Sequence, residues 1–391
     1  MQRILQIRIA DLTGNGVKTM AVNQKRLVSQ FIELTKIDSL SFSERKMADY
    51  LMQKGKELGL SLKEDDAAEK IGGNAGNLYA VIEGSMEGAK NLLFMAHMDT
   101  VVPGMGKKAL VHEDGRITSD GSTVLGADDA AAIAVILEAY QEIKEEGLPH
   151  HSLSFLFPVA EEAYTVGMRA FDLELLPKID RAYVPDCSDR QGAYSICEPT
   201  LLSFEITIHG RAAHAGFDPE KGIHSIAAAS AAISRLRQGH VNDYTTLNIG
   251  MIEGGSAKNI VPEKCSVKGE IRCSIHEEAL ALYEKMLSLF QEEAERIGGR
   301  AEGRMEIHLT AYRVEEDEEG LIALKEALEA QGLELLPKES FGGSDNNVLR
   351  RKGIQGLCIA NAMHEIHTTE EYSRIGELVQ ETEIIKYLMT H

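Results

Sequence analysis

The sequence predicts an α/β domain into which a smaller α+β domain is inserted. Helical and strand patterns alternate from residue 24 to about residue 199, which is typical of a sheet covered by helices on both faces. From about residue 200 the order becomes β-α-β-β-α-β, the ferredoxin-like arrangement. After about residue 312 the alternation of helix and strand returns, so the smaller domain interrupts the larger one.

The length of 391 residues agrees with two domains, because single cores stop growing at about 250–300 residues. We expect residues 20–199 and 312–391 to form the larger domain and residues 200–311 to form the smaller one. Met20 is a second candidate start of the chain. Residues 1–19 are therefore either an N-terminal extension outside the fold or a part of it.

The larger domain begins with two amphipathic helices, which are followed by short apolar runs bounded by glycine or asparagine. The predicted elements are, in order, helices at 24–36 and 43–60, strands "NLYAVIEG" (77–84) and "NLLFMAHMD" (91–99), a helix at 128–148 ending near Gly147, and strands "HSLSFLFPVAEE" (151–162) and "RAYVPD" (181–186). The chain returns to this domain with a helix at 318–332, a strand at 356–362 and a helix at 374–389.

The smaller domain alternates strands with two longer helices. Its predicted elements are the strand "LLSFEITIHG" (201–210), a helix at 222–238, the strands "YTTLNIGMIEGG" (244–255) and "CSVKGEIRCSI" (265–275), an acidic helix at 277–297 and the strand "RMEIHLTAY" (304–312).

Composition excludes several classes of partner. The formal net charge of −20 and the pI near 5.1 argue against nucleic acid and anionic membranes, which repel an acidic surface. Five cysteines without a C-x-x-C motif predict neither a disulfide framework nor a thiolate zinc site. No run reaches the 18 or so apolar residues of a membrane span, and the N-terminus is a poor signal peptide. We therefore expect a soluble cytoplasmic protein with free thiols.

Acidic residues and histidines follow the predicted strands, where sites form in open α/β sheets. Taken singly, each has a simpler interpretation, such as a helix N-cap for Asp129 or a solvated corner for the two glutamates. As a set of carboxylates and imidazoles without thiolates, they suit zinc, cobalt or manganese in a hydrolytic site. The residues are His97 with Asp99, Asp128 with Asp129, Glu161 with Glu162, Asp186, and His364 with His367.

The segment "HEIH" near the C-terminus does not show which of its two histidines binds metal. His364 and His367 are three residues apart, whereas the H-E-x-x-H motif needs a spacing of four on one helix face. Thr368 and Glu371 have the spacing of a capping box, which predicts a helix that starts after His367. Rival enzyme classes lack their motifs, since neither G-x-S-x-G nor a phosphate-binding G-x-x-x-x-G-K-[ST] occurs.

Taken together, these motifs resemble the M20 metallopeptidases, and within them peptidase T and its tripeptidase-like relatives. The resemblance runs in order through residues 21–390, in "HMDTV", "GADDAAAIAV", "VAEE", "VPD", "GRAAHAGFDPEKGIHSI", "NIGMIEGGSAKNIVP", "GEIR", "GGSDNNVL" and "HTTEEY". It implies a mixed-sheet, three-layer catalytic domain of the zinc-peptidase type with an inserted ferredoxin-like lid domain. It also implies removal of the N-terminal residue from short peptides, chiefly tripeptides. The alternatives are an M20 N-acyl-amino-acid amidohydrolase or carboxypeptidase and, less favoured, a metal-binding protein without activity.

The resemblance also implies a role for each residue of the set. Two divalent ions, expected to be Zn²⁺ with Co²⁺ or Mn²⁺ as alternatives, would be bridged by Asp128, with a cis peptide bond to Asp129. Asp99 would orient His97 from the second coordination shell, and Glu161 would be the general base. His364 would be only a neighbour of the site. The implied metal ligands are His97, Asp128, Glu162, Asp186 and His367.

On the lid, the resemblance implies three substrate contacts, namely His214, Asn259 and Arg272. In dimeric members of the family the lid histidine comes from the partner subunit, so the resemblance makes a homodimer through the lid one alternative and a monomer the other. The simpler interpretations are a turn histidine for His214 and a surface ion pair for Arg272. The sequence departs from the usual "DDKAG", which reads "DDAAA" at 128–132, and from the usual "EEG", which reads "EEA" at 161–163. No ligand position is lost.

Overall fold

The computed structural model describes residues 22–391, so the prediction for residues 1–19 lies outside the described part. The helices are α1 (Gln24–Thr35), α2 (Arg45–Leu58), α3 (Ala67–Ile71), α4 (Ala127–Glu146), α5 (Val166–Ala170), α6 (Ser225–Ser234), α7 (His276–Glu295), α8 (Glu319–Ala330), α9 (Asp345–Arg351) and α10 (Ile375–Thr390). The strands are β1 (Lys63–Glu64), β2 (Leu78–Ile82), β3 (Asn91–Met95), β4 (Leu110–Val111), β5 (Arg116–Thr118), β6 (Ser152–Phe157), β7 (Arg181–Cys187), β8 (Ala193–Glu198), β9 (Thr200–His209), β10 (Gly239–Asn242), β11 (Thr245–Gly254), β12 (Lys264–Cys273), β13 (Arg300–Leu309), β14 (Tyr312–Arg313), β15 (Leu336–Glu339), β16 (Gly356–Ala360) and β17 (Tyr372–Arg374).

A nine-stranded mixed sheet forms the centre of the larger domain. Its order is β1-β2-β6-β3-β7-β16-β8-β14, and β15 also pairs with β8. The central strands β6, β3, β7 and β16 run parallel, whereas β2 is antiparallel to β6. The carboxyl ends of the four parallel strands therefore meet at one edge. A small sheet of β17, β5 and β4 was not predicted.

Helices cover both faces of this sheet, which confirms the predicted three-layer α/β fold. On one face, α4 is buried from Ala127 through Tyr140, because its alanines and branched residues pack between the sheet, α1 and α10. The helix ends where predicted, with Gly147 in the left-handed conformation. On the other face, Leu93 and Met95 pack against Met168 of α5 and further residues of α9.

The inserted unit, which we call the lid, is a five-stranded antiparallel sheet with the order β10-β11-β12-β9-β13. Alternate residues of β9, such as Phe204 and Ile206, are buried beneath α6 and α7. The chain order matches the predicted β-α-β-β-α-β pattern, with the short strand β10 as an addition. Asn347 of α9 ties the lid to the larger domain, because its Nδ2 donates to the carbonyls of Thr310 at 3.0 Å and Pro199 at 3.4 Å.

All five cysteines are unpaired, as predicted. None of the helices within residues 22–391 combines the length and the apolar character needed to cross a membrane.

Candidate metal centre

The parallel strands bring the predicted ligands to one edge of the sheet. His97 lies two residues after β3, and Asp186 is near the end of β7. Glu161 and Glu162 follow β6, and His367 follows β16. The first residues of α4 carry Asp128 to the same place. Three groups of side chains have ligand atoms that all lie within 4.8 Å of one another: His97 with Asp128 and Glu162, His97 with Glu161 and Asp186, and Asp128 with Asp129 and Asp186.

Asp128 presents one carboxylate oxygen to each of two imidazoles. Its Oδ1 lies 3.0 Å from Nε2 of His97, and its Oδ2 lies 3.1 Å from Nε2 of His367. The same nitrogen of His367 is 2.9 Å from Oε1 of Glu162. Two ligands of a tetrahedral zinc ion, at bonds of roughly 2.0–2.2 Å, lie about 3.3 Å apart. The spacing of these atoms therefore fits two ions that share Asp128.

The centre contains more carboxylates than can be ionised together at a buried site without cations. Burial raises the pKa of Glu161 and Asp186 well above the usual range, and neighbouring carboxylates raise these pKa values further. The contacts with Asp128 and Glu162 raise the pKa of His367 to about 10. Divalent cations would offset this excess, so the donor set fits a metal centre. Seven carboxylates face two imidazoles here, namely Asp99, Asp128, Asp129, Glu161, Glu162, Asp186 and Asp345 against His97 and His367.

Asp99 supports the centre mainly through the backbone. Its Oδ1 is 3.4 Å from Nδ1 of His97, which is long for a hydrogen bond, so the predicted orientation of the imidazole rests on a weak contact. The same carboxylate accepts the backbone N–H of Glu161 at 2.9 Å, that of Glu162 at 3.2 Å and the hydroxyl of Ser41 at 2.7 Å. Asp99 therefore holds the segment that carries the two glutamates.

The peptide bond between Asp128 and Asp129 is cis, as the resemblance implies. Asp129 accepts the backbone N–H of His97 at 3.1 Å through its Oδ2. Its other oxygen accepts from Nδ2 of Asn361 at 2.8 Å. Asp129 thus connects the ends of β3 and β16 to the start of α4.

The predicted capping box at Thr368 is wrong. The hydroxyl of Thr368 donates to the carbonyl of Glu365, and the next helix, α10, begins only at Ile375. Glu371 is 1% exposed and accepts the backbone N–H groups of Gly126 at 2.7 Å and Asp128 at 3.0 Å. A tertiary partner thus replaces the local helix start, because those buried N–H groups need an acceptor.

The two histidines of "HEIH" have different partners. His364 stacks on Tyr372, and its Nε2 lies 2.5 Å from a carboxylate oxygen of Glu377. Neither histidine is a member of the three ligand groups described above, so their individual contacts distinguish them. His367, with a positive φ of 62°, turns toward Asp128 and Glu162 instead. Of these two histidines, His367 is therefore the one that lies within reach of a metal ion shared with Asp128 and Glu162.

Sequence and structure comparisons give the same relationship. Residues 198–298 match the M20 peptidase dimerisation domain, and residues 77–181 match peptidase family M28. The aminopeptidase PepT of Bacillus cereus ATCC 10987 is 35% identical, with a TM-score of 0.88 over 94% of this chain and 98% of that one. A Staphylococcus aureus Mu50 tripeptidase is 34% identical, with a TM-score of 0.90 over 95% and 99%. The uncharacterized protein YqjE of Bacillus subtilis (strain 168) is 37% identical over 93% and 97%. The chain belongs to the M20 peptidase family.

Within the M20 family the chain is peptidase T-like, and it is a hydrolase of the metallopeptidase type. The three predicted lid residues lie outside its ligand groups. His214 is exposed, and its Nδ1 accepts the backbone N–H groups of Gly216 and Phe217, both at 3.1 Å. Asn259 is also exposed, and its carbonyl accepts the N–H of Ala215, beside His214.

Arg272 of the M20 lid contacts the larger domain. Its Nη1 donates to the carbonyl of Phe341 at 2.9 Å, and its Nε donates to Glu270 at 2.9 Å. Phe341 lies four residues before Asp345, a buried carboxyl whose charge interacts with that of His97. Arg272 therefore reaches the loop that leads into the metal centre.

Asp345 and Asn361 were not predicted as site residues, and Glu371 was predicted only as part of a capping box. Asp345 is 2% exposed, and burial raises its pKa to about 7. Asp345 and Glu371 lie in two segments that carry the resemblance, "GGSDNNVL" and "HTTEEY" respectively. That position was the only signal of their importance, because the residues with which they interact, Asp128 for Glu371 and His97 for Asp345, are more than 200 residues away in the chain.

Proposed function

We propose that the protein is an aminopeptidase that uses two divalent metal ions to remove the N-terminal residue from short peptides, chiefly tripeptides. The observation that carries this proposal is Asp128, which presents one oxygen to each of two imidazoles beside the buried carboxyl of Glu161. The similarity to an aminopeptidase and a tripeptidase over nearly the whole chain supports the substrate class.

In this proposal His97 and Asp186 hold one ion, Glu162 and His367 hold the other, and Asp128 is shared. Zn²⁺ suits this donor set, with Co²⁺ or Mn²⁺ as alternatives. When bound, the ions supply Lewis-acid polarisation of the scissile carbonyl and a lowered pKa for the attacking water.

Glu161 is the proposed general base. Its backbone N–H is held by Asp99 at 2.9 Å, and burial raises the pKa of its carboxyl. A base whose pKa approaches the working pH accepts a proton and returns it readily. Glu161 would therefore take the proton of the attacking water and deliver it to the leaving amine.

The chemistry is tested by separating turnover from metal content. Glu161→Gln should keep both ions and lower kcat by roughly 10²–10⁴, as expected for the loss of a general base. Asp128→Ala should lose metal and activity together, because both ions share this ligand. Elemental analysis and kinetics measure both effects. A fully active wild-type preparation with one ion per chain would refute the two-metal proposal, and near-normal turnover of Glu161→Gln would show that the base is misassigned.

For the lid, the hydrogen bonds of His214 favour an oxyanion contact. Because Nδ1 accepts two backbone N–H groups, the neutral ring carries its proton on Nε2, which is then free to donate. We propose that a homodimer forms through the lid and that His214 donates this hydrogen bond to the developing oxyanion. His214→Ala should then lower kcat more than it raises KM. A raised KM with unchanged kcat would identify a simple substrate contact.

A preference for tripeptides has a physical explanation if the lid holds the C-terminal carboxylate. Arg272 offers a guanidinium that binds carboxylates in bidentate fashion, and Asn259 is the proposed second contact. The distance from these residues to the metal centre would then select peptide length. Arg272→Ala should reduce the preference for tripeptides over dipeptides and tetrapeptides. An unchanged length profile would contradict this explanation.

The substrate class is decided by one assay. A tripeptide, free and N-acetylated, is incubated with Zn²⁺, Co²⁺ or Mn²⁺, and the products are identified by mass spectrometry. We expect release of the first residue from the free peptide only. Cleavage confined to the acetylated form would indicate an N-acyl amidohydrolase, and loss of the third residue first would indicate a carboxypeptidase.

A further inference from the structure

A cavity of about 340 Å³ lies where the lid joins the larger domain. We call it the hinge pocket. Pockets of this size between domains are common sites for small ligands. Its walls come from α5, from the end of β13 with the residues that leave the lid, and from α9. The polar residues that line it are Arg169, His308, Thr310, Asn347, Arg351 and Lys352.

The hinge pocket collects positive charge in an acidic protein. Arg169, Arg351 and Lys352 line it, whereas none of the described lining residues carries a carboxyl group. The whole chain has 61 acidic residues and only 41 lysines and arginines. Three cations without a lining acid are therefore a local reversal of the charge of the protein, and they would attract an anion.

Most hydrogen-bond donors of these cations remain free. The side chain of Arg351 is exposed at the end of α9, and none of the side-chain hydrogen bonds or ion pairs within residues 22–391 involves its guanidinium. Arg169 has a single carboxylate neighbour, Glu306, at 3.9 Å, which is beyond hydrogen-bond distance. Lys352 uses one N–H, which donates to the carbonyl of Phe171 at 2.9 Å. Two guanidinium groups and an ammonium can thus still bind a ligand.

The walls of the pocket are held in place by hydrogen bonds and ring stacking. Asn347 donates to the carbonyl of Thr310 at 3.0 Å, which holds the lid connection against α9. His308 is 8% exposed, its Nε2 lies 2.7 Å from the hydroxyl of Ser203, and its ring stacks on Tyr164 at 4.2 Å. The pocket therefore exists before a ligand binds, which reduces the entropic cost of binding.

We propose that the hinge pocket binds a small phosphate-bearing molecule. A phosphate group carries nearly two negative charges at neutral pH and several acceptor oxygens, which match the free guanidinium forks of Arg169 and Arg351. The C-terminus of α9 opposes an anion, but the partial charge of a helix end is smaller than three full positive charges. Because the ligand would contact both the lid and the larger domain, its binding stabilises the lid in its present position.

The proposal is tested by calorimetric titration of the metal-loaded protein with inorganic phosphate and with glycerol 3-phosphate, at constant ionic strength. Arg351→Glu and Arg169→Glu should each raise Kd at least about tenfold, because each removes charge-assisted hydrogen bonds. Arg237→Glu is the matched control, since Arg237 is an exposed lid arginine outside the hinge pocket. It should leave Kd unchanged. Peptide hydrolysis without phosphate should be equal in all three variants.

A second measurement locates the ligand without relying on the variants. Phosphate should slow hydrogen exchange at residues 308–310 and 345–352 of the wild-type protein. Tighter binding of glycerol 3-phosphate would identify a phosphate monoester as the ligand class, and equal binding would identify inorganic phosphate. If Arg351→Glu and Arg169→Glu both bind phosphate as tightly as the wild type, and protection from exchange is confined to the metal ligands, the proposal is overturned. Absence of binding to the wild type at about 10 mM would overturn it as well.

Discussion

Replacing Glu371 with glutamine should weaken metal binding, although the carboxylate of Glu371 contacts only the backbone of the ligand Asp128 and not its side chain. The carboxylate is 1% exposed and accepts two backbone N–H groups, from Gly126 at 2.7 Å and from Asp128 at 3.0 Å. It thereby fixes the start of α4, from which the side chain of Asp128 projects between two imidazoles.

The size of the effect follows from these two bonds. The two N–H groups meet different oxygens of the carboxylate, Oε2 for Gly126 and Oε1 for Asp128, so in a glutamine one of them would face the NH₂ group instead of an oxygen. A hydrogen bond to a charged group contributes about 1.5–3 kcal/mol, and leaving a buried N–H group without an acceptor costs about 1–3 kcal/mol. Part of this cost lowers the stability of the metal-free protein and does not change its affinity for metal. For metal affinity we expect a loss of roughly 10–100-fold, the range found for residues that position metal ligands.

The assay is a competition for zinc between the protein and a chromophoric chelator. Glu370→Gln is the matched control, because this neighbouring glutamate is exposed and the substitution is the same. Glu371→Gln should lose affinity, and Glu370→Gln should bind as the wild type does. Equal affinities in both variants, in folded protein with a normal circular dichroism spectrum, would refute the reasoning that the clamp on Asp128 supports metal binding.

Two further predictions test the fold. Burial raises the pKa of Glu381 to about 8, so the contribution of this carboxyl to stability is complete below pH 4.5 and is lost as pH rises through 8. Glutamine cannot ionise. Glu381→Gln should therefore raise the free energy of unfolding by up to about 4 kcal/mol at pH 8 and by very little at pH 4. Denaturant unfolding at both pH values measures this, and a pH-independent difference would contradict it. Gly167→Ala would put a methyl group 1.9 Å from the carbonyl oxygen of Val159, so we expect a loss of about 1–3 kcal/mol in the free energy of unfolding and a loss of activity. The control Gly376→Ala places its methyl group in open space and should be neutral or stabilising. Equal melting temperatures of the two variants would contradict the predicted clash.

Much of the architecture could be predicted because it depends on local patterns. The apolar runs of β3, β6, β7 and β16 mark buried parallel strands, and each ends close to an acid or a histidine. Since parallel strands end at the same edge, the order of motifs along the chain already implied a shared site. The end of α4 could also be predicted, because it depends on one nearby residue, Gly147, which adopts the left-handed conformation that ends a helix.

Contacts between distant segments could not be predicted in this way. Thr368 and Glu371 have the spacing of a helix cap, but Glu371 binds the start of α4 instead, where two buried N–H groups lack other acceptors. Likewise, Asp99 was expected to serve His97, and it holds the backbone of Glu161 and Glu162 more closely. A short motif does not indicate which of two competing partners a carboxylate will meet.

By itself, the sequence determined the α/β class, the inserted lid and the set of residues that meet at the strand ends, because hydrophobic periodicity and strand direction are properties of the chain. Only the tertiary structure decided that Asp128 faces both His97 and His367, that His364 turns to Glu377, and that Arg272 reaches the loop before Asp345. The physical reason is that a buried polar group must be paired, and its partner is whichever donor or acceptor the packing brings within about 3 Å.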